Sequence, residues 1–338
     1  MDFRLTDDQK ALKAGVRELL AGRFDRDALR AAVDSGGGLD RALWRELGAA
    51  GFFALRLPEA EGGVGLGLPE AVLVFEEAGR VLLPGPLIAT HVAAGSVDGA
   101  AEGEVVVTAV DGGVVEWLDE ADVVLGDVTG AVAVRSVDPL TPLHRLPGPV
   151  GAGVMGGTGP HGRRSVVPTL PQALGFARAG GTPIAPAERL PTTGEGVGGA
   201  AERMPTTEVL LTAAEQLGSA SRTTEMAVSY ARTREQFGQP IGAFQAVKHL
   251  CAQMLVRTEV ARAAVYAAAV TGDPVEIAGA KLLADEAAVG CARDCLQVHG
   301  GMGFTWEADV HLHLKRAWVR AERGLSKAQA EEVEAAHL

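Results

Sequence analysis

Residues able to do chemistry gather at two polar bends in the last third of the chain. From Tyr230 the sequence reads Y-A-R-T-R-E-Q-F-G-Q-P-I-G-A-F-Q, setting Arg234, Gln236 and Gln245 around Gly238, Pro240 and Gly242. From Gln297 it reads Q-V-H-G-G-M-G-F-T-W-E, with Gly300, Gly301 and Gly303. An arginine holds a phosphate with a planar fork of donors. Glycines let backbone N–H groups approach an anion with no Cβ in the way. A long apolar helical tract separates the bends, so two corners joined by a rigid helix pair suit a long, doubly phosphorylated ligand.

The elements that must position these corners are helices. Thr206 or Thr207 caps a helix predicted to run to Thr233, with Leu210, Leu211, Leu217, Met226 and Val228 inward and the small pair Gly218 and Ser219 where another helix can come close. The turn from Gln236 to Gly242 ends it. A second helix is expected from Phe244 to about Thr271, a third from Val275 to His299 after the G-D-P break, and a fourth from about Glu307 through Arg320. Short connections between four such helices predict an antiparallel bundle.

At the other end, T-D-D-Q at Thr6 to Gln9 is a capping-box signature with acids suited to a helix start. The helical pattern of Leu12, Val16, Leu19 and Leu20 is first interrupted at Gly36-Gly37-Gly38. Further helices are expected at 39–50 and 69–81 and after Pro86. From Glu104 the composition turns to short β-branched runs split by Gly and Asp, the pattern of a small antiparallel sheet or barrel. From Pro147 to Ala200 the chain is rich in Gly, Pro and Thr without a period, and His161, Arg163 and Arg164 there read as a solvated loop. The organisation is therefore mainly α with a small β-domain: an N-terminal helical domain (1–103), a reduced, irregular β-domain (104–200) and a C-terminal four-helix bundle (201–338).

Composition excludes several classes. The 338 residues, 47% hydrophobic and 22% charged, describe a globular protein with room for two or three domains. A formal net charge of −12 argues against nucleic acid as a partner and against attraction to an anionic membrane. No signal peptide or membrane-length apolar run is visible, so the expected location is cytoplasmic. Cys251, Cys291 and Cys295 are too few for a disulfide framework, Cys291 and Cys295, four apart, read as small core residues, and no metal site is expected.

The two bends, R-E-Q-F-G-Q-P-I-G-x-F-Q and Q-V-H-G-G-M-G-F, together resemble the C-terminal FAD-binding helical domain of the acyl-CoA dehydrogenase family. The first hundred residues also resemble that family, and the run from Phe52 to Gly67 resembles its loop near the substrate entrance. The resemblance implies an acyl-CoA dehydrogenase fold, FAD as cofactor, and α,β-desaturation of an acyl-CoA thioester. It implies that Arg234, Gln236, Phe237 and Gln245, with Gln297, Gly300 and Gly301, reach a partner subunit's FAD. It further implies a homo- or hetero-oligomer, a dimer or tetramer, that passes electrons to an acceptor protein. Short relatives resemble subunits of heteromeric enzymes acting on steroid or other bulky acyl groups.

Most members carry the catalytic carboxylate after the last bundle helix, and matching from Gln297 puts Gly324 there. A minority carry it on the first bundle helix, and counting back from Phe237-Gly238 lands on Glu208, the candidate base. An acid at a helix start is also favoured by the dipole alone. The middle has no T-E-P…G-S-D or W-I-T-N segment, which in the family contact the flavin. Two alternatives stay open: a non-catalytic subunit that completes a partner's flavin site, and a flavin-free scaffold of the same fold.

Overall fold

The computed structural model describes residues 5–147 and 207–337. The irregular segment around His161, Arg163 and Arg164 lies outside them. Helix α1 (Asp7–Arg23) opens on the expected capping box, Thr6 and Gln9 exchanging backbone-to-side-chain hydrogen bonds of 3.0 and 3.2 Å. The helical run does not last to Gly36. Phe24 leaves helical geometry at φ −137°, and Asp25 caps a separate α2 (Arg26–Asp34) through the Ala28 amide at 2.9 Å. A buried Phe24 fills the notch between them, which apolar spacing alone hides. Helices α3 (Arg41–Ala49), α4 (Leu68–Val81) and α5 (Leu87–Ala93) complete the first unit.

Every residue of α4 from Ala71 to Gly79 is buried, acids included. Buried carboxylates persist only when paired. Glu76 takes Lys13, Arg262 and Tyr266, and Glu77 takes Arg17 through two bonds of 2.7 and 2.8 Å. These pairs tie α1, α4 and the bundle together.

The sheet is mixed, which corrects the antiparallel expectation. Its order is β3-β1-β2-β5-β4, with β1 (Val107–Asp111), β2 (Val114–Glu116), β3 (Val123–Leu125), β4 (Val132–Val134) and β5 (Leu143–Arg145). β1 and β2 form a hairpin across Gly112-Gly113, both at positive φ. The chain then turns at Trp117 and returns to run parallel beside β1. Asp122 fixes that return, accepting the Val106 amide at 2.8 Å and pairing with Arg41.

The bundle is α6 (Thr207–Thr233), α7 (Gln245–Thr271), α8 (Pro274–His299) and α9 (Val310–Ala321), close to the expected bounds, followed by an unforeseen α10 (Lys327–Ala335). A two-residue pair, β6 (Glu235–Gln236) and β7 (Gln239–Pro240), joins α6 to α7. α6 meets α4 at backbone contact. A Cβ on Gly218 would lie 1.9 Å from the Glu76 carbonyl oxygen, and one on Gly79 2.0 Å from that of Glu215. The close approach expected at Gly218 is the crossing of these two helices. α9 is locked to the β-region by a buried Arg316–Asp138 pair.

Candidate functional site

Two separate places carry the candidate residues. The first is one end of the bundle, where α6 and α8 both finish. Tyr230 near the end of α6 stacks on His299, the last residue of α8, with centroids 4.1 Å apart. His299 Nδ1 faces the Cys295 carbonyl at 2.8 Å, so that nitrogen carries the proton and the ring is positioned rather than free. This stack brings the arginine-glutamine bend and the double-glycine bend side by side.

At the first bend, Phe237 and Gly238 both take positive φ, 54° and 77°, closing the two-residue turn between β6 and β7. A phenylalanine there is strained, and the residue is 92% exposed. Arg234, Gln236 and Gln245 are exposed, and among the described residues the Arg234 guanidinium makes no hydrogen bond or ion pair. At the second bend Gly300 adopts φ 58°, ψ −140°, a region open essentially to glycine. A Cβ on Gly300 or Gly301 would meet nothing within 4 Å, so the bare backbone faces open space. Gln297 is exposed beside them, with Met302 and Phe304. An exposed guanidinium fork beside uncovered backbone fits a dinucleotide's diphosphate and adenosine.

The second place is a cavity of about 360 Å³ between α5, the β1–β2 hairpin, the start of α6 and the end of α9. Glu208 and Gly324 both line it, so the structure brings together the two positions at which the family resemblance would put a base. Glu208 sits half-buried in the first turn of α6, where the helix dipole favours an anion. Gly324, at φ 71°, lies against Val209, a Cβ there approaching its Cγ2 to 3.2 Å. Arg56, in the run resembling the entrance loop, donates to the Oγ1 of Thr207, the residue before Glu208, at 3.2 Å.

Several lining residues escaped the sequence reading. The Gly324 amide donates to Asp111 Oδ2 at 2.6 Å, and Arg323 Nε pairs with Glu116 at 3.1 Å, pinning the α9–α10 connection to the β1–β2 hairpin. Deeper in, Arg320 pairs with Glu215 at 2.9 Å. Burial pushes the Glu215 carboxyl up against the pull of Arg320. The signal existed. Glu208, Thr212 and Glu215 stand at i, i+4 and i+7 on α6, and Arg316, Arg320 and Arg323 repeat that spacing along α9 and its end.

The two places are far apart. Along α6, 27 residues long, the rise of about 1.5 Å per residue separates Glu208 from the Arg234 corner by about 40 Å.

The residues 6–100 match the family model for the acyl-CoA dehydrogenase N-terminal domain, and 194–324 match that for the C-terminal domain. Acyl-CoA dehydrogenase IpdE2 of Mycobacterium tuberculosis is 35% identical over 92% of this chain and 91% of its own length. The fold is similar to that of a chain in the ChsE4-ChsE5 complex from Mycobacterium tuberculosis (TM-score 0.72, 22% identity, 100% of this chain and 98% of that one). It is also that of PigA with FAD and proline (TM-score 0.74, 18% identity, 100% and 99%). The chain belongs to the acyl-CoA dehydrogenase family, a family of oxidoreductases. No helix among the described residues is long and apolar enough to cross a membrane.

Proposed function

We propose that this chain is a subunit of an FAD-dependent acyl-CoA dehydrogenase in which Glu208 takes the α-proton of the thioester. The observation that carries it is Glu208 on the wall of a half-enclosed cavity that is also lined by Gly324, the glycine that leaves the alternative base position empty of a carboxylate. A carboxylate there accepts the α-proton as the Cα–H bond breaks and the Cα=Cβ bond forms. FAD, when bound, supplies the acceptor for the β-hydrogen as hydride, and the electrons pass on to an acceptor protein. The residues of this chain that would hold FAD are Arg234, Gln236, Phe237, Gln245, Gln297, Gly300 and Gly301. The span of α6, about 40 Å at about 1.5 Å per residue, supports the reading that they serve a second chain's flavin in a dimer or higher oligomer. ChsE4-ChsE5 is a complex of two named chains, and the same arrangement with a different partner suits this chain.

A second reading, in which the chain completes a partner's flavin site and does no chemistry, is favoured by one observation. The hairpin wall of the cavity presents Asp111 and Glu116, held by Arg323, in a middle region without the segments that contact the flavin in the family. Visible absorbance separates the two. A yellow protein, alone or with its partner chain, whose 450 nm band bleaches with acyl-CoA and loses that response on Glu208→Gln supports the first reading. Bleaching that survives Glu208→Gln supports the second.

A further inference from the structure

We infer that Arg30 of α2, seconded by Arg26, positions the double-glycine bend, holding the loop behind it without touching the cofactor. The inference rests on the reading that this bend holds FAD, and it adds the residues of the N-terminal helical unit that set the bend's shape.

The connection from α8 to α9 runs over residues 300–309. Its first turn, Gly300–Phe304, folds back on the end of α8, where a Cβ on Gly303 would come within 3.0 Å of His299 Cβ and 3.1 Å of the Leu296 carbonyl oxygen. Beyond that turn Trp306 and Glu307 are exposed, so packing does not settle the path. Hydrogen bonds from α2 do. Arg30 Nη1 donates to the Trp306 carbonyl at 2.5 Å, and Arg26 Nη2 to that of Glu307 at 2.7 Å. The same two guanidiniums take both oxygens of Asp309, Arg26 from Nε at 2.7 Å and Arg30 from Nη2. From α9, His311 stacks on the Trp306 ring and Lys315 lies over it, which steadies that side chain while α2 holds the backbone.

Asp309 shows what this grip displaces. It occupies the N-cap of α9, yet its side chain caps nothing. Asp25, Asp40 and Asp273 stand at the N-caps of α2, α3 and α8, and each accepts from an amide of its own helix. A cap stabilises a helix start, so the chain gives up a local bond here to fasten the loop to another unit. The Asp309 and Arg30 side chains are 16% and 17% exposed, which makes this pair stronger than a solvated one. Arg26 is 60% exposed and plays the lesser part.

Fixing both ends fixes the middle. His299 is held at the end of α8 by Tyr230 and by the Cys295 carbonyl, and Trp306 is held by Arg30. The few residues between have little freedom left, so the uncovered backbone of Gly300 and Gly301 is presented in one shape. Backbone donors bind an anion well when they are already in place. A single guanidinium that bridges a carbonyl and a carboxylate needs the planar fork, which lysine lacks.

The test is a fluorescence titration of the flavin-free protein with FAD, in its full complex where a partner chain is needed, beside thermal melting. Arg30→Met should weaken FAD binding by about tenfold and Arg30→Lys by about threefold. Where Arg30→Met does not fold, Arg30→Lys decides. Asp309→Asn should match Arg30→Met, and combining the two should weaken binding little more than either alone. Arg17→Met is the control for stability alone. It breaks a two-bond pair with Glu77 in the same helical unit, should lower the melting temperature at least as far, and should leave FAD affinity unchanged. Wild-type affinity in the Arg30 variants, or an equal loss in Arg17→Met, overturns the inference, and a loss in Arg234→Gln in the same titration then leaves the flavin reading standing. A wild type that takes up no FAD, or unchanged affinity in both Arg234→Gln and Arg30→Met, overturns both.

Discussion

Replacing Gly218 by alanine should disable the protein more than any exposed substitution. The added Cβ would sit 1.9 Å from the Glu76 carbonyl oxygen and 2.9 Å from the Arg80 nitrogen, both backbone atoms that cannot rotate away. An ordinary contact is about 3.4 Å, so α4 and α6 must part by about 1.5 Å, and overpacking of this kind destabilises by about 3 kcal/mol. Opening the crossing also loosens the Glu76 pairs with Lys13 and Arg262. Because α6 carries Glu208, a shift of that size should slow flavin bleaching by acyl-CoA about a hundredfold. The assay is thermal melting followed by stopped-flow absorbance. Gly15→Ala is the control: nothing lies within 4 Å of that position in α1, and alanine there should stabilise by about 0.5–1 kcal/mol. A Gly218→Ala protein that melts and reacts like the wild type would refute the argument that these helices touch through glycine.

Three further outcomes follow from the same structure. Arg234→Gln should weaken flavin retention by about tenfold or more through the loss of a charged donor, read as bound FAD per chain after desalting. Acid should destabilise the fold through two buried imidazoles: burial lowers His313 to about 3 and His91 to about 4. Below their unfolded value near 6.5 the unfolded chain binds protons the folded one refuses, so stability falls with falling pH. By pH 5 each contributes a loss of about 2 kcal/mol. Chemical denaturation at pH 7 and pH 5 checks this, and equal midpoints would contradict it. At Glu76, burial pushes the carboxyl up, but Lys13 and Arg262 more than reverse it and hold it ionised. Glu76→Gln should therefore destabilise by about 3–5 kcal/mol by stranding those cations, measured by urea titration.

The helices α6 to α9 were legible because their apolar spacing is long and their breaks carry Gly and Pro. Gly218-Ser219 correctly announced a close crossing. The break at Phe24-Asp25 was not legible, because a buried aromatic continues the apolar pattern while Asp25 quietly caps the next helix. α10 was missed because it buries only Ala330 and so has almost no pattern. The parallel pairing of β1 and β3 depends on Asp122 catching the Val106 amide, a tertiary bond that no strand propensity encodes. At the site, motif residues were found by their resemblance to a family, whereas Arg316, Arg320 and Arg323 were passed over. Their helical spacing was visible, but an inward stripe of arginines looks like a solvated face until the opposing carboxylates of α6 are known. That the two bends share one end of the bundle follows from the Tyr230–His299 stack.

The most direct test is an anaerobic titration of the FAD-loaded protein with acyl-CoA, comparing wild type with Glu208→Gln at 450 nm. The account predicts that both forms hold FAD equally and that only the wild type bleaches. A Glu208→Gln protein that bleaches at the wild-type rate would contradict it.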